Sequence, residues 1–336
     1  MRSMDTFRAL RVFNDDGRVH SRIVDATIDE LSAGDVVIEA AYSSVNYKDA
    51  LAATGTGKIL KRFPLIGGID VSGTVRSSGD PRFTAGDEVL VTGYDLGVGQ
   101  DGGFAGVVRV PADWVVKLPA GLSRRDAMVY GTAGFTAALS VVRLERNGLR
   151  PGIGPVAVTG ATGGVGSLAV GILSALGYEV TAITGKDDAH EYLRGLGAAH
   201  VQPRGGLELS TRPLEKATWA AAVDAVGGDL LAWLVRSTMP WGGVASTGLT
   251  GGTNLSLTVM PFILRAVSLI GVDSVACPAD LRRDTWHRLA TDMRPRALAS
   301  VAATDITLDD LPHAFDTLLK GEARGRFVVT LIANRR

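Results

Sequence analysis

The pattern of apolar and polar positions changes character once along this chain, near Arg125. Before it, residues 7–120 read as strands and turns. Val36-Val-Ile-Glu-Ala-Ala41, Gly73-Thr-Val75, Glu88-Val-Leu-Val-Thr92 and Gly106-Val-Val-Arg-Val110, which runs into Pro111, are short and β-branched, bounded by Gly, Pro and Asp. Runs of that kind predict an all-β lobe with Greek-key-like connections.

Beyond Arg125 the signals alternate. A helical stretch, Ala127 to Val142, is interrupted by Gly131 and Gly134. Strands are predicted at Val156–Thr159, Glu179–Ile183, Ala220–Val226, Gly243–Ser246 and Ser268–Val272. Helices are predicted at Val165–Leu176, His190–Leu196, around Leu230 to Val235, and at Pro261–Arg265. Strands alternating with helices imply right-handed βαβ units and a parallel sheet. The tail reads as helices near Arg282–Leu289 and Leu311–Leu319, then a strand from Arg326 to Ile332. The fold class is therefore α/β, a Rossmann-type doubly wound parallel sheet joined to a β-rich lobe.

Composition narrows this picture. The chain has 336 residues, and about 150 residues per domain is the usual scale, so two domains are expected. Lys+Arg and Asp+Glu are 35 each. Zero net charge argues against a nucleic-acid partner, whose domain is normally basic. Two uncharged runs, Pro151–Tyr178 and Ser237–Leu264, are long enough to suggest membrane spans. Eight and five glycines, with two prolines each, break them, so no membrane partner is expected. One cysteine, Cys277, allows no internal disulfide, and Met1–Arg8 has no apolar stretch of a secretory signal. A reducing, cytoplasmic setting is the expectation.

The candidate chemistry starts at Gly160. After the strand Val156–Thr159 comes Gly160-Ala-Thr162-Gly163-Gly164-Val165-Gly166, then a helical run. Glycines at 160, 163 and 166 let the backbone turn sharply, admit a pyrophosphate and pack the helix on the strand, with its positive end toward the phosphates. The spacing is G-x-x-G-x-x-G rather than G-x-G-x-x-G, so the context of strand, glycines, helix and second strand carries the reading. An NAD site places an acidic side chain at the end of that second strand. Here the chain reads Thr184-Gly185-Lys186, a hydroxyl, a bare backbone and a cation. That set suits a 2′-phosphate and predicts NADPH, with Arg204 as a second phosphate cation. Asp187 and Asp188 follow and weigh the other way.

Over essentially its whole length the chain resembles the zinc-free members of the medium-chain dehydrogenase/reductase superfamily. Within it the chain is most similar to the NADPH-dependent acryloyl-CoA reductases, often labelled quinone oxidoreductases. The segments that carry the likeness are Tyr42-Ser-Ser-Val-Asn46-Tyr47-Lys48-Asp49-Ala-Leu51, Phe63-Pro-Leu-Ile-Gly-Gly-Ile-Asp70, Gly131-Thr-Ala-Gly-Phe-Thr136, Gly160–Gly166, Thr184–Lys186, Met260–Arg265 and Gly271–Ser274. The resemblance implies a discontinuous GroES-like catalytic domain, 1–125 with 276–336, around a Rossmann domain, 126–275. It places a nicotinamide between the two. It carries NADPH contacts over to Tyr47, Thr162 through Val165, Thr184 through Lys186, Arg204 and Arg326. It implies hydride transfer to the activated C=C of a short enoyl thioester, with a generic quinone or enone reductase as the alternative. An NADPH-binding protein without turnover also stays open, since fold does not fix function. Asn46, Tyr47 and Asp49 would border the nicotinamide, Asn46 donating to an oxygen, Tyr47 donating or positioning, Asp49 orienting its neighbours. It also implies a homodimer paired through Ser268–Val272.

A metal site is not expected. A structural zinc lobe needs four cysteines and a catalytic zinc needs Cys and His ligands. The histidines at 20, 190, 200, 287 and 313 are scattered, and Gly68-Ile69-Asp70 stands where zinc-dependent relatives carry Gly-His-Glu. Gly55-Thr-Gly-Lys58 lacks the remaining Walker A positions, and no G-x-S-x-G elbow occurs. Lys58, Lys61 and Arg62 are either a solvated loop or a contact for coenzyme A phosphates.

Overall fold

The computed structural model describes residues 6–331, so Ile332, the expected end of the last strand, lies outside the described residues. In chain order the elements are β1 (Phe7–Asp15), β2 (Arg18–Ala26), β3 (Val36–Ser44), α1 (Tyr47–Thr54), β4 (Leu65–Ile66), β5 (Asp70–Ser78), β6 (Glu88–Thr92), β7 (Val107–Val110) and β8 (Val116–Lys117). Then come α2 (Arg124–Arg146), β9 (Val156–Thr159), α3 (Gly164–Ala175), β10 (Val180–Thr184), α4 (His190–Gly195), β11 (His200–Pro203), β12 (Trp219–Asp224), α5 (Gly228–Ser237) and β13 (Thr238–Ser246). The chain finishes with α6 (Met260–Arg265), β14 (Ser268–Gly271), α7 (Ala279–Ala290), α8 (Leu298–Val301), β15 (Ala302–Ile306), α9 (Leu311–Leu319) and β16 (Arg326–Thr330).

The chain forms two compact units, Met1–Thr132 with Val275–Arg283 and Ala302–Arg336, and Ala133–Ser274 with Asp284–Val301. These bounds part from the sequence-based division at residues 126–132, at Val275 and at residues 284–301. Residues 126–132 go with the first unit, because the Val129 carbonyl accepts from Arg326 and Thr132 donates to Asp70. Residues 284–301 go with the second, because Trp286 stacks on Phe135 and Arg288 pairs with Glu145 at 2.5 Å.

The first unit holds a seven-stranded sheet, β15-β16-β3-β5-β6-β8 with β7 on β3, and a three-stranded sheet, β2-β1-β4. Among the described strands there, β15 and β16 pair in parallel and the rest antiparallel. Asp16 and Gly17, both at positive φ, close the β1–β2 hairpin as the two-residue turn such strands favour. The unit is not all strand and turn: Tyr47–Thr54 is a helix. Asn46 caps it in a capping box with Asp49, and Gly55 ends it in the left-handed region.

The second unit is one parallel six-stranded sheet in the order β11-β10-β9-β12-β13-β14. Its central strands are fully buried, so they read as unbroken apolar runs rather than alternations. Strand order reverses between β9 and β12, and ligands of such sheets bind at the carboxyl ends of strands at that switch point. Helix α2 is long and apolar enough to cross a membrane, but 89% of its apolar window is buried and Gly131 breaks it, so it is a core helix.

Candidate active site

At the switch point the second unit packs the Gly160–Gly166 turn against the start of α3. Thr159 ends β9, Gly160 turns at φ +58°, and α3 opens at its cap Gly163. A Cβ on Gly166 would lie 2.6 Å from the Ala161 Cα and closer still to the Gly160 carbonyl. Only glycine lets α3 approach the turn this closely. The first N–H groups of α3, at Gly164, Val165 and Gly166, have no partner within the helix. Thr162 is buried, while Gly163 through Val165 are half-buried. The Ser167 hydroxyl donates to the Ala161 carbonyl at 3.1 Å, and the Tyr192 hydroxyl donates to Ser167 at 2.9 Å. This is the close backbone approach that a pyrophosphate requires.

The cation set also assembles. The Lys186 amide donates to the Thr184 hydroxyl at 3.0 Å, which fixes the bend after β10. Thr184 pairs with Pro203 across β10 and β11, so Arg204 follows directly beside it. A Cβ on Gly185 would meet the Arg204 Nη2 at 3.1 Å, so the guanidinium lies over a bare backbone. Thr184, Gly185, Lys186 and Arg204 are thus together, with Asp187 and Asp188 exposed just beyond.

The first unit carries a different constellation, a buried polar network around Asp70. The Asp70 carboxylate accepts from the Ser44 hydroxyl (2.6 Å), the Asn46 amide (2.7 Å), the Thr132 backbone N–H (2.9 Å) and the Thr132 hydroxyl (2.5 Å). Arg326 lies 3.6 Å from it. Its guanidinium donates to the Ser44 hydroxyl (2.7 Å), the Asn46 side-chain oxygen (3.1 Å) and the Val45 and Val129 carbonyls. Arg326 therefore sits among protein acceptors, buried as the first residue of β16. Burial pulls its guanidinium below its ordinary range.

Asn46 is likewise enclosed. Its amide donates to Asp70 and, at 3.2 Å, to Asp49, so both hydrogens are committed within the protein. Asp49 accepts from the Asn46 and Ile69 backbone N–H groups at 2.8 and 3.0 Å. Burial, and then the charge of Asp70, push its carboxyl up to about 7, against these bonds that favour the charged form. Tyr47 differs from both: first residue of α1, it is 41% exposed. Asp70, Ser44, Thr132 and Asp224 were not among the sequence candidates. Asp70 did lie in the quoted Phe63–Asp70 segment, where an acid in an apolar run was the available signal.

Of the cations near Gly55, Lys61 pairs with Asp95 at 2.8 Å and Arg62 is bonded to Ser32 and Asp101, while Lys58 is exposed. Among the described residues there is no group of three or more His, Cys, Asp or Glu placed to hold a metal.

Residues 32–120 match the alcohol dehydrogenase GroES-like domain family, and 164–291 match the zinc-binding dehydrogenase family. The chain is 49% identical to YhfP of Bacillus subtilis strain 168, which carries a quinone-oxidoreductase name, over 94% of this chain and 96% of that one. It is 49% identical to AcuI of Escherichia coli K12 (96% and 99% covered) and 44% identical to AcuI of Ruegeria pomeroyi (97% and 100%). Both carry acrylyl-CoA reductase names. Among solved structures, the yhdH oxidoreductase of Salmonella enterica in complex with NADP superposes with a TM-score of 0.94 at 49% identity, covering 97% of this chain and 100% of that one. Bacillus subtilis yhfP with NAD bound gives 0.95 at 47%, covering 97% and 99%. With a GroES-like domain, a parallel dinucleotide-type sheet and relatives matched from end to end, the chain belongs to the medium-chain dehydrogenase/reductase superfamily and is an oxidoreductase of the group that includes AcuI and YhfP.

Proposed function

We propose that the protein is an NADPH-dependent, zinc-independent reductase of the activated C=C bond of a short enoyl thioester, acrylyl-CoA being the class example. The observation that carries the reading is the end-to-end identity with two chains named acrylyl-CoA reductase. Residues Gly160 through Gly166 would hold the pyrophosphate, and Thr184, Gly185, Lys186 and Arg204 the 2′-phosphate. Bound there, the reduced nicotinamide supplies the hydride for the β-carbon. Charge then develops on the thioester oxygen and needs a donor already in place. Tyr47 is the exposed candidate of the three; its phenol would bind or orient that oxygen. Asn46 and Asp49 act through it as positioning residues, since the Asn46–Asp49 capping box fixes the first turn of α1. Asp70 and Arg326 hold Asn46 in turn.

NADPH is the preferred cofactor in this reading because Thr184, Gly185 and Lys186 follow β10 with Arg204 beside them after β11, although Asp187 and Asp188 come next and weigh the other way. Zinc independence is supported by the single cysteine and the separated histidines. A homodimer is supported by an apolar surface on the second unit: β14 has a partner on one side only, and Trp241, Val259, Ile263 and Leu264 are each more than 60% exposed. An edge strand of this kind is a liability unless covered, and a two-fold partner covers it. A reducing, cytoplasmic setting fits the one free thiol. The second reading, a quinone or enone reductase, is favoured by the name that YhfP carries at 49% identity. Steady-state oxidation of NADPH and NADH with acryloyl-CoA, crotonyl-CoA, a quinone and an enone separates the two. The first reading expects the thioesters to give the highest kcat/KM, and a quinone exceeding them overturns it.

A further inference from the structure

Asp224, the last residue of β12, is fully buried and, among the described residues, pairs with no cation. One carboxylate oxygen accepts from the Thr159 hydroxyl at 2.5 Å and from the Val226 N–H at 3.3 Å. The other accepts from the Gly227 N–H at 2.8 Å. Thr159 in turn accepts from the Ala225 N–H at 3.2 Å. The Asp224 carbonyl accepts both the N–H and the hydroxyl of Thr247, at 2.8 and 3.0 Å. One residue therefore ties together three segments at the carboxyl end of the sheet: the end of β9 just before Gly160, the Ala225–Gly228 turn, and the loop after β13.

Those last two segments form a second glycine platform. Gly227 and Gly228 both take positive φ, and Gly227 caps the ten-residue helix α5. A Cβ on Gly227 would lie 2.6 Å from the Gly252 carbonyl, and one on Gly228 would lie 2.7 Å from that of Gly251. The Gly251 N–H bonds the Val226 carbonyl at 2.8 Å. Backbone is thus packed directly on backbone. A buried carboxyl without a cation is costly, and burial pushes this one above its ordinary range. Its three donors offset that cost and hold the turn beside the switch point, where a dinucleotide crosses from the β9–β11 half of the sheet to the β12–β14 half.

We infer that Asp224 is a positioning residue for cofactor binding: through Thr159 and Gly227 it sets the Ala225–Gly228 turn as the backbone platform for the nicotinamide half of the dinucleotide. The inference rests on the cofactor reading above. It distinguishes the two halves of the ligand, because in that reading Lys186 and Arg204, at the ends of β10 and β11, serve the adenosine half, whereas Asp224 ends β12.

The test is equilibrium binding to the full-length protein of NADPH and of adenosine 2′,5′-bisphosphate, which contains only the adenosine half, together with the melting temperature of the unliganded chain. Asp224→Asn keeps the shape but turns one acceptor into a donor facing a donor. It should weaken NADPH by about 10- to 100-fold, the value of one or two charge-assisted bonds, while the bisphosphate changes by less than about twofold. Thr159→Val, which removes the hydroxyl at nearly constant volume, should show the same split, and Thr159→Ser should restore NADPH binding. Equal weakening of both ligands, or a lowered melting temperature with NADPH affinity unchanged, overturns the inference. Wild-type protein that binds the bisphosphate but neither NADPH nor NADH overturns the cofactor reading itself.

Discussion

Gly131 offers the sharpest mechanical test of the buried network. It sits in the middle of α2 at φ +50° and ψ −155°, a region open to glycine and strained for any other residue. A Cβ there would lie 2.5 Å from the Asp70 Oδ2, 2.7 Å from the Arg326 Nη2 and closer still to the Ser44 Oγ. None of the three can swing away, because Ser44, Asp70, Asn46 and Arg326 are bonded to one another at 2.6 to 3.1 Å. Gly131→Ala therefore costs about 1–3 kcal/mol of backbone strain and breaks one or two buried charge-assisted bonds, at about 1.5–3 kcal/mol each. The total is about 2.5–9 kcal/mol, a large share of the 5–15 kcal/mol typical of a domain. Gly121→Ala is the control: φ is +84° but nothing lies within 4 Å, so only the strain remains. Thermal and urea unfolding of both variants measures the difference. A loss of 3 kcal/mol lowers the melting temperature by about 6–12 °C for a domain of 150–250 residues. Gly131→Ala melting within about 2 °C of wild type, or no lower than Gly121→Ala, would refute the crowding argument.

Four further outcomes are expected. Asp49 has a folded-state value of about 7 against about 3.9 unfolded, so the folded chain binds the extra proton. The contribution of this group is fully present below about pH 4 and lost as pH rises through 7. Asp49→Asn should thus gain stability relative to wild type across that window in urea titrations; a difference that does not change with pH contradicts the assignment. Lys186→Ala should weaken NADPH about tenfold and leave NADH unchanged in a binding titration. Exhaustive chelation should leave activity intact, and elemental analysis should find no stoichiometric zinc; one zinc per chain refutes this. Light scattering should give twice the chain mass, and Ile263→Arg, on the exposed apolar surface, should give one; a wild-type monomer contradicts the pairing.

The second unit was the more legible in sequence, for a physical reason. Strands buried on both faces, such as Val180–Thr184 and Trp219–Asp224, leave no polar alternation, and helices α3 and α5 start at glycines. Lys186 and Arg204 were findable because adjacent parallel strands bring their ends together. In the first unit, α1 was hidden inside a region of strand-like texture, although Asn46 and Asp49 have capping-box spacing and Ala50–Ala53 are good helix formers. Asp16-Gly17 between alternating runs was an unused hairpin signal. The Asp70–Arg326 pairing had no local signal: its members are 256 positions apart and meet only because β16 pairs with β3. Asp224 was absorbed into the strand Ala220–Val226, since a lone acid ending an apolar run does not reveal which donors will surround it. The helix Ala279–Ala290 was assigned to one domain, yet the unit boundary falls inside it, which the Trp286–Phe135 stack and the Arg288–Glu145 pair account for.

The central claim is that this chain reduces an enoyl thioester with NADPH. Its most direct measurement is the rate of NADPH oxidation by the purified, chelator-treated protein with and without acryloyl-CoA, with the product identified by mass spectrometry. The account predicts oxidation that depends on the thioester, a propanoyl-CoA product two hydrogens heavier, and a markedly lower kcat/KM with NADH. NADPH oxidation that ignores acryloyl-CoA while responding to a quinone, or no turnover with any of them, would contradict it.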